Sequence, residues 1–115
     1  MDYRISAALT VIKGAFPASA DLNSLAKAAN LSVSHFQHLF KKEVNLSTKQ
    51  YVKRLRLDEA KFLLETTTMQ IKEIASAVSY SDHSHFINDF KATFGLYPKK
   101  YRIVFHSSAA TFSNK

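Results

Sequence analysis

The chain has 115 residues, enough for one compact domain or for two very small subdomains that share a helix. Its formal net charge of +7 favours a polyanionic partner. No apolar run approaches the roughly 18 residues that span a bilayer, and the absence of cysteine excludes disulfides, thiolate catalysis and Cys-ligated zinc. We therefore expect a chain of the reducing cytoplasm that associates with the nucleoid and not with a membrane.

Helix-breaking residues occur only near the two ends of the chain. Gly14 and Pro17 close the first amphipathic segment, and Gly95 and Pro98 interrupt the last. Between these pairs nothing forces a sharp break in a helix. Because β-branched residues do not alternate with polar ones at the period of a strand, the sequence predicts an all-α fold.

One helical pattern occurs twice. Residues 21–29 place apolar side chains at the i, i+3, i+4, i+7 spacing of a short amphipathic helix, with Asp21 as its N-cap, and residues 70–78 repeat the pattern. In both copies a short turn and a second helix follow, for which Ser32 and Asp82 are the expected caps. Asn30 can take the left-handed conformation that ends a helix. Each copy is therefore predicted to be a helix-turn-helix unit.

The second helix of the first unit has one apolar and one polar face. Phe36, Leu39, Phe40 and Val44 form the apolar face, and the opposite face has no acid before Glu43. The residues of that polar face are Ser34, His35, Gln37, His38, Lys41 and Lys42. A merely solvated face, as in an ordinary αα-hairpin, normally mixes charges of both signs. Short hydrogen-bonding and basic side chains favour contact with a DNA major groove.

A long amphipathic helix capped by Ser47 is predicted between the units. At 1.5 Å per residue its roughly 18 residues span roughly 27 Å. When the offset of the two second helices from the ends of this linker is added, their separation comes near the ~34 Å of one DNA turn. We thus expect about seven helices, and both second helices in successive major grooves. The expected organisation is a first subdomain at 1–46, a linker helix at 47–66, a second subdomain at 67–106 and a disordered tail at 107–115.

The sequence resembles the DNA-binding domain of the AraC/XylS family of bacterial transcription regulators. The resemblance covers residues 22–102 and is most specific in residues 74–102. The matching residues there are Phe86, Phe90, Phe94, Gly95, Pro98, Tyr101 and Arg102. It implies two helix-turn-helix subdomains and sequence-specific binding of double-stranded DNA. The family usually has Gly at Asn30 and Ser79, two departures that the backbone can tolerate. It often has Arg at Asn88, and this departure leaves phosphate contact as the alternative role of the second unit.

The resemblance also implies which residues face DNA. Recognition helices Val33–Val44 and His83–Phe94 present Ser34, Gln37 and His38, and then His83, Ser84, Ile87 and Asn88, to the bases. Gln37 is the strongest candidate because its amide can donate and accept in a bidentate pair with adenine. The candidates for phosphate contact are Lys41, Lys42, Lys53, Arg54, Lys91, Lys99 and Lys100. For each of these residues the alternative is an ordinary solvated side chain or, at the base-facing positions, phosphate contact alone.

Other functions have weaker support. His35 and His38 lie one turn apart, but a metal site needs three or four convergent ligands. No nucleophile with its base and no Gly-rich phosphate loop occurs, so we expect no enzyme, metal or cofactor. The aromatic residues have the spacing of a core. They are Phe36, Phe40, Tyr51, Phe86, Phe90, Phe94 and Tyr101.

Two alternatives stay open. The first is a protein-interaction module that contacts RNA polymerase or another regulator and binds DNA weakly; the acid-free face of the first unit favours DNA. The second concerns the rest of the protein, because the chain is either a small stand-alone activator or the excised C-terminal domain of a longer regulator. We expect a monomer for this domain, and a dimer if a sensor domain belongs to the protein.

Overall fold

The computed structural model describes residues 1–15 and 21–113, the side chains of residues 109–113 excepted. Over these residues the chain is helical and contains no strand, so the predicted all-α fold is confirmed. The seven helices of this part are α1 (Tyr3–Ala15), α2 (Leu22–Ala28), α3 (Val33–Val44), α4 (Thr48–Thr66), α5 (Ile71–Ala77), α6 (His83–Phe94) and α7 (Pro98–Ser113). Pro17, the expected end of the first segment, lies outside the described residues.

The chain divides into two compact units, Met1–Leu55 and Arg56–Lys115. The division falls within α4, the predicted linker helix. Its first half gives Val52 to the core of the first unit, and its second half gives Leu57 and Leu64 to the core of the second. This explains why the apolar residues of the linker cover more than one stripe, since each half packs against a different core.

The first unit is built around two fully buried phenylalanines of α3. The ring centroids of Phe36 and Phe40 lie 5.9 Å apart, and Phe40 meets Tyr51 edge-on at 5.9 Å. Aromatic pairs at such distances add to the free energy of burial, which for one such side chain is about 1.5–3 kcal/mol. The other buried residues of this core are Ile5, Ala8, Ile12, Leu25, Ala26 and Val52. They fix which face of α3 points inward.

The second unit repeats this arrangement. Phe86 and Phe90 of α6 are fully buried with their ring centroids 6.0 Å apart, and Phe90 also meets Phe94 at 4.7 Å and Tyr101 at 5.8 Å. The predicted packing role of the aromatic residues is confirmed. Leu57, Ala60, Leu64, Ile74, Ala75 and Val78 complete the core.

The turns of the two units share one geometry. Asn30 and Ser79 have left-handed backbones, with φ of 61° and 67°. The residue that follows each one donates its backbone N–H to a carbonyl of the preceding helix, at 2.9 Å in both units. Ser32 then accepts from the backbone N–H of His35 at 3.1 Å, and Asp82 accepts from that of Ser84 at 2.9 Å. The predicted left-handed position and the predicted caps are therefore confirmed.

Arg102 of α7 binds the end of α4 and the loop after it. Its guanidinium donates through Nε to the carbonyl of Leu64 at 3.2 Å, through Nη1 to that of Met69 at 2.6 Å and through Nη2 to that of Thr67 at 3.2 Å. The last carbonyls of a helix have no partner within the helix. Arg102 supplies one, and so holds α7 against the segment that leads into the second helix-turn-helix.

The tail differs from our expectation. We expected disorder over residues 107–115; the structure describes helix α7 as far as Ser113, and residues 114 and 115 lie outside the described residues. Pro98 starts this helix at the position that suits proline best, and no glycine or second proline follows it. Ala109 and Ala110 are strong helix formers, which explains why helix extends through a segment of weak hydrophobic pattern.

Candidate nucleic-acid interface

The outer face of α3 presents the predicted base-contacting residues of the first unit. Because Phe36 and Phe40 point into the core, Ser34, Gln37 and His38 are exposed on the opposite side. Lys41 continues the same row at the i, i+3, i+4, i+7 spacing of neighbouring positions on a helix surface. The structure therefore brings these four side chains together on one strip.

A surface groove adjoins this strip at the start of α4. Its lining consists of Gln37, His38, Lys41, Lys42, Ser47 and Thr48. Ser47 caps the helix: its Oγ accepts from the backbone N–H of Gln50 at 3.1 Å, and its own N–H donates to Gln50 Oε1 at 2.9 Å. The Thr48 hydroxyl is buried and makes no hydrogen bond with the residues that the structure describes.

The electrostatics of this groove favour an anion. The N-terminus of a helix carries the positive end of its dipole, and the ammonium groups of Lys41 and Lys42 stand beside the start of α4. Our sequence interpretation identified Ser47 as a cap but placed neither Ser47 nor Thr48 at the interface. The available signal was the Ser47 to Gln50 capping-box spacing directly after a basic helix.

The outer face of α6 matches the prediction less completely. His83, Ser84 and Asn88 are exposed, whereas Ile87 is half-buried and packs against the second core. Part of the Ile87 side chain therefore has a packing role, and less of its surface is left for a thymine methyl group. The equivalent position in α3 is Gln37, which is exposed.

All seven candidate phosphate contacts are exposed. Lys91 nevertheless has contacts inside its own unit, since its ammonium lies 3.4 Å from the carbonyl oxygen of Gly95 and 5.1 Å from the centre of the Tyr97 ring. Lys99 and Lys100 directly follow Pro98 in the first turn of α7. They stand at the positive end of this helix, as Lys49 does one residue after the start of α4.

A cluster that we did not predict joins α6 to its turn. The Tyr80 hydroxyl donates to Asp89 Oδ2 at 2.8 Å, and His85 Nε2 lies 3.2 Å from the same oxygen. Burial raises the pKa of Tyr80 well above its usual value, and the neighbouring Asp89 carboxylate raises it further, while Arg56 opposes the shift. The sequence signal was a difference between the repeats, because the corresponding residues of the first unit are Leu31 and Leu39.

The histidines do not converge with other potential metal ligands. Over residues 1–15 and 21–113, no group of three or more His, Asp or Glu side chains is placed to hold a metal ion. In the same part of the chain, no helix combines the length and the apolar character required to cross a bilayer.

A family model described as a helix-turn-helix domain matches residues 25–103. The chain belongs to the AraC/XylS family of DNA-binding transcription regulators. The resemblance inferred from the sequence is thereby confirmed, and the tandem helix-turn-helix fold with it. The match extends from α2 into α7 and so includes residues of both helix-turn-helix units.

Curated relatives support this AraC/XylS assignment. The chain is 37% identical over 92 residues to the Msm operon regulatory protein of Streptococcus mutans, covering 80% of the chain and 33% of that protein. It is 31% identical over 99 residues to the transcriptional activator AarP of Providencia stuartii, covering 86% of the chain and 73% of AarP. The chain thus spans about a third of the first relative and most of the second.

A solved structure has the same fold. It is a transcriptional regulator from Chromobacterium violaceum, described as containing an AraC-type DNA-binding domain. It is 23% identical, with a TM-score of 0.79, and the match covers 87% of this chain and 89% of that one. This likeness shows that the two chains share a fold, which agrees with the family assignment from the sequence.

Proposed function

We propose that the chain recognises a DNA site of two major-groove segments, with α3 in one groove and α6 in the next. The observation that carries this proposal is the exposed row of Ser34, Gln37, His38 and Lys41 on α3, beside the N-terminus of α4. A major groove admits a helix, and its base edges form hydrogen bonds with such side chains. The proposal places the protein at the bacterial nucleoid.

In the first unit Gln37 is the principal base contact and His38 the second. Lys41 and Lys42 contact phosphate, together with the backbone N–H groups at the start of α4. The groove that these side chains share with Ser47 and Thr48 supports this division of roles, because it places cations and a helix N-terminus beside the base-contacting row. Phosphate contacts of this kind set the register of a helix in the groove and leave sequence to the base contacts.

The second unit contributes fewer base contacts. His83, Ser84 and Asn88 are exposed on α6, and Asn88 suits adenine. Ile87 packs partly on the core, so we assign it at most an apolar contact at its edge. Lys99 and Lys100 contact phosphate at the start of α7. We thus propose that α3 supplies most of the specificity, while α6 and α7 add affinity.

Selection of bound duplexes from a random pool tests the proposal. We expect the enriched sites to contain two conserved segments with centres about 10 base pairs apart, the one contacted by α3 being the more strongly conserved. The segment contacted by α3 is identified by repeating the selection with Gln37→Ala. Enrichment of no sequence, or of two segments half a turn apart, would overturn the proposal.

RNA polymerase is the partner to test next. A chain that binds polymerase but shows no preference among duplexes would be an interaction module and not a base-reading domain. A pull-down with the purified polymerase of a bacterial host, with and without the selected duplex, separates the two functions. We expect the selected duplex to be bound by the chain alone, as a monomer.

A further inference from the structure

A groove of about 610 Å³ lies between α1 and α2 in the first unit. The residues of its α1 wall include Tyr3, Ala7 and Val11, and those of its α2 wall include Ser24 and Ala28. The Tyr3 side chain is 80% exposed and that of Val11 53% exposed, so two large apolar groups stand uncovered at this groove. None of the described residues that line it is a candidate DNA contact. The proposed DNA contacts therefore leave the groove free.

The second unit shows that a helix-turn-helix unit does not need an apolar groove at this place. The buried residues of α1 and of the second half of α4 share one spacing, and they are Ile5, Ala8 and Ile12 in α1 and Leu57, Ala60 and Leu64 in α4. This equivalence places Glu59 at the position of Ala7, and the repeat of residues 21–29 in residues 70–78 places Glu73 at the position of Ser24. The second unit thus has two carboxylates where the first has small uncharged side chains. The apolar lining is a property of the first unit and not of the fold.

The exposed stripe of α1 is complementary to itself. Tyr3 and Val11 each lie four residues from Ala7, on the same face of the helix. When a second α1 lies antiparallel with Ala7 against its own copy, Tyr3 of each helix lies against Val11 of the other. Helices that cross at small side chains approach to about 8 Å between their axes, so both larger side chains reach the facing helix.

The charges of α1 favour the antiparallel orientation over the parallel one. At the N-terminal end Arg4 Nη2 lies 3.0 Å from Asp2 Oδ2, and the last turn carries Lys13. In a parallel pair the two Lys13 residues would stand side by side. In an antiparallel pair they are about 18 Å apart along the helices, and each stands at the level of the ion pair between Asp2 and Arg4 of the other copy. The two helix dipoles are then opposed as well, so charge complementarity selects this orientation.

We propose that the groove between α1 and α2 binds α1 of a second copy of the chain, antiparallel and about a two-fold axis at Ala7. The contact is small, because α1 has 13 residues and thus a length of roughly 20 Å, and an interface of this size is weak in solution. One copy still fills one DNA site. The contact joins two copies on neighbouring sites, where the duplex raises their effective concentration.

A cysteine on the proposed axis tests the contact directly. The chain has no cysteine, so Ala7→Cys introduces a single thiol, and two copies of it across the axis meet the requirement for Cβ atoms about 4 Å apart. We expect oxidation in air to convert this variant into a disulfide-linked dimer about tenfold faster than the control Asn23→Cys. Asn23 is exposed on α2 and does not line the groove. Electrophoresis without reductant measures both rates, and thermal melting checks that each variant is folded.

Charges at position 7 give a second test, which does not depend on oxidation. Ala7→Glu introduces the residue that the second unit has at Glu59, and Ala7→Lys introduces the opposite charge. On a two-fold axis each variant meets its own charge and should stay monomeric, whereas an equimolar mixture opposes the two signs and should associate. Sedimentation equilibrium up to about 0.1 mM, the concentration at which we expect the parent chain to be half dimeric, measures this. The matched mixture of Asn23→Glu with Asn23→Lys should associate no more than the parent chain.

On DNA the contact predicts cooperative binding to inverted sites. Two copies of the selected site in inverted orientation match a two-fold axis, and spacers that cover one turn of about 10 base pairs bring the grooves face to face at one spacing. There we expect the second copy to bind about tenfold more tightly than to a single site, since a dissociation constant of about 0.1 mM meets an effective concentration of about 1 mM. Ala7→Glu should bind a single site as the parent chain does and lose the cooperativity.

The outcomes separate this inference from the proposed function, on which only the measurement on inverted sites rests. If Ala7→Cys forms dimers no faster than Asn23→Cys, or if the mixture of Ala7→Glu with Ala7→Lys stays monomeric, the inference is overturned, whatever duplex the chain prefers. If both tests without DNA succeed and the chain prefers no duplex, the contact between copies stands and the proposed function fails.

Discussion

Asn45 and Gly95 occupy the same left-handed position after the two recognition helices, with φ of 68° and 86°. Each donates its backbone N–H at 2.8 Å to the carbonyl of the lysine four residues earlier, Lys41 in α3 and Lys91 in α6. Glycine and asparagine enter this conformation at the lowest cost. Both units therefore end the second helix of the helix-turn-helix with the same hydrogen bond, although the residue that donates it is Asn45 in one unit and Gly95 in the other.

This equivalence predicts that Gly95→Asn is tolerated and Gly95→Ala is not. A Cβ at this position meets no atom within 4 Å, so backbone conformation alone sets the cost. We expect alanine to lower the free energy of unfolding by about 1 kcal/mol, and asparagine by clearly less. Urea denaturation followed by circular dichroism measures both. Equal losses would show that the left-handed backbone is not the cause.

Gln37→Ala tests base contact by the first unit. We expect it to weaken binding to the selected duplex by about 1–3 kcal/mol and to relax specificity at the base pairs that Gln37 contacts. Ser6→Ala, an exposed change on α1, is the control. Competition with duplexes altered one base pair at a time reports the specificity. An unchanged preference at every position would remove Gln37 from the base contacts.

Lys41→Ala tests phosphate contact. Because each phosphate contact releases condensed counterions, losing one should reduce the slope of log affinity against log salt by about 1, and weaken selected and random duplexes alike. Lys13→Ala removes the same charge from an exposed position on α1. We expect its salt slope to stay close to that of the parent chain. If both variants changed the salt slope equally, Lys41 would act through the net charge of the chain and not through a phosphate contact.

Much of the fold could be predicted because its signals are local. The caps at Ser32 and Asp82 and the left-handed Asn30 follow from the chemistry of single residues within one helix end. The buried phenylalanines follow from helical spacing. The exposed face of α3 follows in turn, since a helix whose apolar side is fixed has only one side left for Gln37 and its neighbours.

Other features depend on residues that are distant in the sequence, or lie in a segment with little hydrophobic periodicity. The three carbonyls that accept from Arg102 lie more than 30 residues before it, and no spacing marks them. The bond between Tyr80 and Asp89 needs the turn to be in place first. The extent of α7 was missed because its last turns have little hydrophobic pattern, although Ala109 and Ala110 favour helix. These contacts belong to tertiary structure, which single-residue preferences do not encode.

Arg102 is predicted to stabilise the second unit through the planar shape of its guanidinium, which reaches three carbonyls at once, as well as through its charge. Arg102→Ala removes three hydrogen bonds to the carbonyls of Leu64, Thr67 and Met69, and we expect a loss of about 2–4 kcal/mol in the free energy of unfolding. Arg102→Lys keeps the charge but cannot reach three acceptors with a planar fork. It should recover less than half of the loss. A fully stable lysine variant would show that charge alone matters.

Tyr101 is predicted to make the free energy of unfolding fall as the pH rises through the alkaline range. Its hydroxyl donates to Glu65 at the end of α4, and burial first, then this hydrogen bond and the charge of the carboxylate, raise the pKa of Tyr101 to about 12. In the unfolded chain a tyrosine has a pKa of about 10. The contribution of Tyr101 to the free energy of unfolding is therefore complete below pH 10 and is lost as the pH rises towards 12.

Tyr101→Phe removes the hydrogen bond and should flatten this decline of stability with pH. Tyr3→Phe changes a side chain that is 80% exposed and should not flatten it. Urea unfolding between pH 9 and 12, with tyrosinate absorbance as the second probe, measures the effect, and parallel declines for the parent chain and Tyr101→Phe would rule out the Glu65 contact as its source.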